Sequence, residues 1–404
     1  MIFKQQHLIT SLTIKKILPF TAIFLIFILF NEHALAIANR PIHFVAGVIR
    51  KHDDNLFKQA NNTKSDNVTG LSAGLKLDKQ LSLQRFTAEA TLTNNRYNKN
   101  DHLNYTSKNF EAAWHWALTP RLTGKLAADR SESLNNFNDT RSNEKNVRVE
   151  QNQLFLADFN PSGGLHYLAG LSRRSLDNSR TFNEDTSFSS NSVDLGVKYV
   201  FPSDSSITLM NHVRKGKYDD RRFSQATLFD DKYKEYESEI GLDWVLTVKS
   251  RIDVGVSYLK RDHKHFSARD YSGFQAKAGY DWSPTEKIKI KVNARSRLST
   301  YQTDVDSYTR TNELLLRPKY LVTPKVSVNG ELSMAKRKFL GGGYNALTTK
   351  NRVDDYKSVG LGVEWKPTLN SSVKLSWLHY DSDSNNNLFD YKGNTTMLSG
   401  QIEF

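Results

Sequence analysis

Apolar and polar residues alternate one by one along most of this chain, from about residue 42 to the C-terminus. The pattern is clearest at the end, where one polar residue separates each of Leu398, Gly400, Ile402 and Phe404 from the next. A period of two is typical of a β-strand with one apolar face and one face in water. A terminal strand leaves an open edge unless it pairs with the first strand, so the pattern predicts a closed barrel. A last strand ending in Phe is also the form taken by bacterial outer-membrane barrels.

The alternating stretches form a repeated unit of strand, short turn, strand and long polar loop. Its period is about 40 residues, which matches two tilted membrane strands of about 9–11 residues plus a loop. Pro, Gly, Ser and Asp mark the short turns, which we place near 78–80, 119–120, 160–163, 202–204, 247–249, 283–285, 323–324 and 367–369. Eight such turns, with both termini on one side, predict nine hairpins and 18 strands, and one miscounted hairpin would leave 16.

The stretches midway between the short turns are long, charged and poor in apolar residues. They include 55–65, 134–145, 179–190, 219–231, 341–349 and 383–394. Short turns at one end and long loops at the other are typical of the periplasmic and extracellular ends of membrane barrels. We therefore predict an all-β fold: a transmembrane, antiparallel, up-and-down β-barrel.

Aromatic residues cluster close to the short turns on the apolar faces of the strands. Rings at headgroup depth form the girdle of a membrane barrel, and the members here are Trp116, Phe159, Tyr199, Phe201, Trp244, Tyr280, Trp282, Tyr320 and Trp365. The alternative is that these rings form the core of a soluble β-sandwich. A sandwich, however, does not require loops that differ so consistently between its two ends.

The first 36 residues have the layout of a secretory signal peptide. Lys15 and Lys16 precede an apolar run over 17–30, and Ala34-Leu-Ala36 follows as a cleavage site. An uncleaved anchor helix is the alternative, but the run is short for a span of about 20 residues. We expect residues 1–36 to be the signal peptide and residues 37–404 to be a single barrel domain.

Composition agrees with a barrel and points to anionic partners. The mean hydropathy of −0.57 suits strands of which only every second residue meets lipid. The chain has no cysteine, which excludes disulfides and thiolate metal sites. Its net charge is +13, and removing the three Lys and one Glu of residues 1–36 leaves +11. This balance favours an anionic solute in a lumen or lipopolysaccharide phosphates at the rim, while the signal peptide argues against nucleic acid.

The faces opposite to the apolar ones would line the pore. Their charges are mixed, with cations in the majority and the densest basic patch at 289–297 and 317–319. Cationic side chains in a pore wall lower the barrier for anions. The plain alternative is that the charges pair across strands and only keep the lumen wet. The candidate pore-lining residues are Lys125, Arg214, Lys277, Lys289, Lys291, Arg295, Arg297, Arg317 and Lys319.

Motifs of catalysis and cofactor binding are missing from the sequence. It has no Gly-rich phosphate loop, no His-Glu-x-x-His helix and no Gly-x-Ser-x-Gly elbow. The segment from Asp381 resembles the start of a calcium loop but has Asn386 and Lys392 where Gly and Glu are needed. We expect no enzyme activity, no cofactor and no metal.

Several segments resemble the EpsL-like outer-membrane barrels of exopolysaccharide operons, a family of β-barrel porins. They are 47–57 with 65–67, 96–105, 113–118 and 124–137, so that the resemblance covers residues 44–180. It implies an outer-membrane component of a polysaccharide synthesis and export system. It carries over no catalytic residues.

Three functions follow from these observations. The leading hypothesis is a passive export channel in the bacterial outer membrane, with a basic lumen guiding a polysaccharide. The second is a general or anion-preferring diffusion porin for small solutes. The third is a structural barrel whose short turns dock periplasmic secretion partners. Expected partners are outer-membrane lipid and lipopolysaccharide, the transported solute, periplasmic export components and the barrel-assembly machinery.

Overall fold

The computed structural model describes residues 41–404 except 141, 181–186, 227, 304 and 343–350. The predicted signal peptide and most of the predicted loop 341–349 lie outside these residues. Among the described residues, no helix has the length and apolarity needed to cross a membrane. The strands are β1 Ile42–Asp53, β2 Asp66–Leu81, β3 Gln84–Tyr97, β4 Tyr105–Thr119, β5 Leu122–Leu134, β6 Val147–Ser162, β7 Leu165–Asn178, β8 Phe188–Val200, β9 Ser206–Tyr218, β10 Lys232–Thr247, β11 Ser250–His263, β12 Tyr271–Trp282, β13 Ile288–Thr300, β14 Tyr308–Thr323, β15 Val326–Leu340, β16 Val353–Trp365, β17 Ser371–Ser384 and β18 Tyr391–Glu403.

All 18 strands belong to one closed antiparallel sheet. Each strand pairs with its neighbours in sequence, and β1 also pairs with β18. That last seam runs from the pair Val45 and Glu403 to the pair Asp53 and Thr395. Closure leaves no open strand edge, which is the condition for a sheet to cross lipid. The predicted 18-stranded transmembrane barrel is confirmed.

The outer surface of the barrel is apolar, as the sequence pattern predicts. Leu195, Ile240 and Phe274 point outward and are 58%, 61% and 66% exposed. Side chains of this kind alternate with inward-facing, mostly polar ones along the strands, so lipid must cover the outer face. Trp282 and Trp365 end their strands beside the short turns, where a girdle of rings belongs.

Some predicted boundaries are wrong, because polar strand ends extend past the lipid. The first short turn lies at Ser82-Leu83 instead of 78–80, and Asp78 remains in β2 because its carboxylate accepts hydrogen bonds from Arg85 across the hairpin. The predicted loop 383–394 shrinks to 385–390.

Candidate functional site

The inward faces of the strands enclose a cavity of about 920 Å³ toward the long-loop end. Arg214 and Arg297 line it directly. Alternate residues of one strand share a face, and so do residues directly opposite each other on neighbouring strands. Since Arg297 faces the cavity, Lys289, Lys291 and Arg295 of the same strand face the lumen as well.

The same rule places the other candidates. Lys277, Arg317 and Lys319 are direct partners of inward residues on β13. Lys125 pairs with Leu156, which alternates with Leu154 in the cavity wall. All nine candidate residues therefore lie on the lumen face. Seven of them come together on β12–β14, while Lys125 on β5 and Arg214 on β9 lie apart from these seven.

We call the seven clustered cations the basic wall: Lys277, Lys289, Lys291, Arg295, Arg297, Arg317 and Lys319. Their register places like charges directly opposite each other, in the pairs Lys289 with Lys319, Lys291 with Arg317, and Lys277 with Arg295. Directly opposed like charges destabilise a sheet. The inward faces of β12–β14 carry two carboxylates, Asp281 and Glu313, against these seven cations.

Five of the nine candidates form ion pairs with carboxylates one or two strands away. The pairs are Arg214 with Glu235 (2.6 Å) and Glu237 (2.7 Å), Lys277 with Glu239 (2.7 Å), Lys291 with Asp281 (3.2 Å), Arg317 with Glu331 (2.9 Å) and Lys319 with Glu364 (3.1 Å). For these residues, pairing that keeps the lumen wet is a sufficient explanation.

Four candidates remain without such a pair. Within residues 41–404, apart from the gaps named above, no carboxylate forms an ion pair with Lys125, Lys289, Arg295 or Arg297. Three of the four belong to the basic wall. Their charges are available to an anion in the lumen.

A segment of the chain crosses the lumen. The described residues 135–140 and 142–146, which we call the lumen loop, follow β5, and the Asp139 carboxylate accepts a hydrogen bond from Arg337 on β15 (3.1 Å). The strands β5 and β15 lie on nearly opposite sides of the ring. Asp139 also lies 3.6 Å from Arg352. The lumen loop therefore restricts the passage and forms part of the cavity wall.

A small apolar cluster holds the other side of the lumen loop. Phe137 packs edge-on against Phe57 at 4.9 Å between ring centroids, and both are buried with Leu56 and Leu103. Sequence reasoning missed this role. The available signal was that Phe137 is the one apolar residue in 135–146.

Other long loops fold together over the rim. The Arg269 guanidinium is fully buried and donates to the backbone carbonyls of Leu228 (3.1 Å), Thr303 (2.9 Å) and Asp306 (2.7 Å). Burial raises the pKa of Asp306 above its ordinary value, although a hydrogen bond from Thr303 partly offsets the shift. These contacts make the rim an ordered structure.

One rim group has the geometry of a metal site among the residues described. Asp230, Asp231 and His265 bring their ligand atoms within 4.8 Å of one another. Burial raises the pKa of Asp230, but hydrogen bonds from the backbone and ring of His265 and from the backbone of Lys232 and Phe266 outweigh it and lower the pKa. The carboxylate is thus already saturated by donors, and we assign no cation to it.

Comparison with known proteins gives one family and several solved barrels. The family described as Putative beta-barrel porin 2 matches residues 47–404. OpdK of Pseudomonas aeruginosa, crystallised with vanillate, has a TM-score of 0.52 at 11% identity, over 90% of this chain and 99% of that one. OccK2 (OpdF) of the same organism, in complex with glucuronate, has a TM-score of 0.51 at 10% identity, over 90% and 98%. No curated protein sequence matches the chain.

Proposed function

The chain belongs to the Putative beta-barrel porin 2 family, and from that premise we propose that its barrel is an outer-membrane pore through which small anionic solutes diffuse. The observation that carries the proposal is the basic wall. Four of its seven cations are paired with carboxylates, whereas Lys289, Arg295 and Arg297 form no ion pair among the described residues. The charges of these three side chains lower the barrier for an anion that passes beside them.

The lumen loop is evidence that the transported solute is small. Because Asp139 fastens it to the opposite wall, the open cross-section is smaller than that of an empty 18-stranded ring. Barrels of similar fold have been crystallised with vanillate and with glucuronate. Both ligands are small carboxylates, and a row of lysine and arginine side chains is suited to binding a carboxylate.

Export of an exopolysaccharide, the leading hypothesis from the sequence, receives less support than diffusion of small anions. No comparison links this chain to polysaccharide systems, and the lumen loop would have to move aside for a polymer. Polysaccharide export is therefore the alternative outcome of the deletion experiment described in this subsection.

The proposal includes the processing and location of the chain. Residues 1–36 act as a cleaved signal peptide, residues 37–404 form the pore as a single domain, and the mature barrel resides in the outer membrane without catalytic activity. The periplasmic side carries the short turns.

Ion selectivity in planar bilayers tests the proposal. We expect anion preference in the purified protein, and a roughly fivefold lower anion-to-cation permeability ratio in the variant Lys289→Glu with Arg295→Glu. Reversing two wall charges changes the barrier by about 1 kcal/mol at aqueous dielectric and moderate salt.

The control reverses two charges outside the lumen. Lys336 and Lys357 point outward on β15 and β16, so Lys336→Glu with Lys357→Glu should leave selectivity unchanged. Cation preference in the parent protein would contradict the proposal, and so would equal shifts in both variants. Polysaccharide secretion that is lost on deletion, with uptake of small anions intact, would favour export instead.

A further inference from the structure

Four lysines form a compact cluster on the outer surface, away from the lumen. Lys215 lies directly opposite Lys234, and Lys217 lies directly opposite Lys232, on neighbouring rungs of β9 and β10. We call these four residues the outer lysine cluster. They alternate with lumen-facing residues, and the Lys217 and Lys232 side chains are 61% and 56% exposed.

The cluster lies just beyond the lipid band at the long-loop end. Below it on the outer face of β10 follow Tyr236, Ile240 and finally Trp244 beside the short turn. From Trp244 to Lys234 the strand rises about 33 Å, or about 25 Å along the membrane normal for a tilt near 40°. That is the height of the apolar band of a membrane barrel, so the ammonium groups reach the headgroups of the outer leaflet.

Nearby carboxylates neutralise the cluster only in part. Asp219 pairs with Lys217 at 2.7 Å, and Asp231 lies 3.9 Å from Lys232. Asp262 is opposite Lys234 in the register but pairs with Lys260, another outward lysine, at 3.1 Å. In the part of the chain that the structure describes, no carboxylate forms an ion pair with Lys215 or Lys234.

We propose that the outer lysine cluster binds the phosphate groups of a phosphorylated glycolipid of the outer leaflet. The two lysines of each directly opposed pair repel each other, and a phosphate bound between them removes that repulsion. The exposed apolar strip below, with Val213 and Tyr236 on the first rung, accepts acyl chains of the same molecule. A lipid satisfies both surfaces at once, whereas a soluble phosphate satisfies only the charged one.

Binding of lipid A to the purified, detergent-solubilised barrel tests the proposal. The variant replaces all four lysines with glutamine: Lys215→Gln, Lys217→Gln, Lys232→Gln and Lys234→Gln. The matched control makes the same change of charge at the periplasmic turns: Lys249→Gln, Lys287→Gln, Lys325→Gln and Lys366→Gln. The probes are lipid A with both phosphates, lipid A without phosphates, and inorganic phosphate.

We expect affinity for phosphorylated lipid A to fall at least tenfold in the cluster variant and to remain within about twofold in the turn control. Phosphate-free lipid A should bind the parent protein at least tenfold more weakly. In detergent without lipid, the cluster variant should be at least as heat-stable as the parent, because it lacks the lysine repulsion. That readout separates lost binding from lost folding.

Three results would overturn the proposal. They are equal loss of affinity in both variants, equal binding of lipid A with and without phosphates, and binding of inorganic phosphate as tight as that of phosphorylated lipid A. Because none of these measurements involves conduction, the lipid site and the pore can fail independently.

Discussion

Asp139 is the residue that attaches the lumen loop to the far wall of the barrel. Its partners, Arg337 and Arg352, share a second carboxylate, because Asp354 lies 3.5 Å from Arg337 and 2.6 Å from Arg352. Without Asp139, both guanidinium groups would therefore keep a counter-ion. Loss of this one carboxylate should detach the loop from β15 and leave the strands in place, while the Phe137 cluster still holds the other side of the loop.

We predict that Asp139→Ala raises the single-channel conductance, by up to roughly twofold, because the released loop narrows the passage less. Recordings in planar bilayers measure this directly. Glu144→Gln is the matched control: it removes a negative charge from the same loop, where Glu144 pairs with the exposed Arg180. Unchanged conductance in Asp139→Ala would mean that the loop does not limit the flow.

Residue by residue, the sequence predicts which way a strand side chain points better than what it touches. The alternation places all nine candidate cations on the lumen face, because the period of two holds within each regular strand. The contact between Asp139 and Arg337 joins residues 198 positions apart. No local pattern encodes such a contact, and Phe137 was the only hint of it.

Among the strand pairs, the seam between β12 and β13 has the shortest register. Its register runs only from the pair Ala276 and Ser296 to the pair Trp282 and Ile290. Beyond it, the Gln275 side chain accepts a hydrogen bond from the backbone N–H of Leu298 at 2.9 Å. The Leu298 side chain packs in a buried cluster with Leu259 and Tyr271. Side-chain contacts thus hold β12 and β13 together where the backbone hydrogen bonds between these two strands have ended.

We predict that Gln275→Ala loosens this seam. Loss of one hydrogen bond to a buried backbone donor costs about 1 kcal/mol, so the Leu298 amide should exchange its hydrogen about fivefold faster. Hydrogen-exchange mass spectrometry of the peptides from β12 and β13 would show the change.

Gln401→Ala is the control for this seam. Gln401 faces the lumen on β18, and among described residues its side chain has no hydrogen-bond partner. Equal acceleration in both variants, or none in Gln275→Ala, would show that the Gln275 bond does not hold the seam.

The strands themselves were predictable because each one repeats the same simple pattern. Strand number and most short turns follow from alternation punctuated by Pro, Gly, Ser and Asp. Strand ends are harder to locate, since a strand that leaves the lipid can continue with polar residues on both faces, as β2 and β17 do. The short seam beside β13 has no counterpart in the sequence pattern, because it results from how two regular hairpins meet.

At the scale of the whole molecule, the ring closes where the two ends of the described chain meet. The Phe44 N–H donates to the Phe404 carbonyl at 2.7 Å, and the Phe404 N–H donates to the Phe44 carbonyl at 2.9 Å. The two rings stack on the outer face at 6.0 Å between centroids. The last residue therefore contributes both backbone bonds and apolar contact to the closing seam.

We predict that deleting Phe404 lowers the temperature at which the folded barrel unfolds in detergent, because it opens the last rung of the seam. The loss of two hydrogen bonds and a ring contact should cost about 2–3 kcal/mol. Phe404→Leu keeps both backbone bonds and loses only the stacking, so its effect should be at most about half as large. The heat-dependent mobility shift on a denaturing gel measures both. If Phe404→Leu is as damaging as the deletion, the ring and not the backbone ladder holds this end of the seam closed.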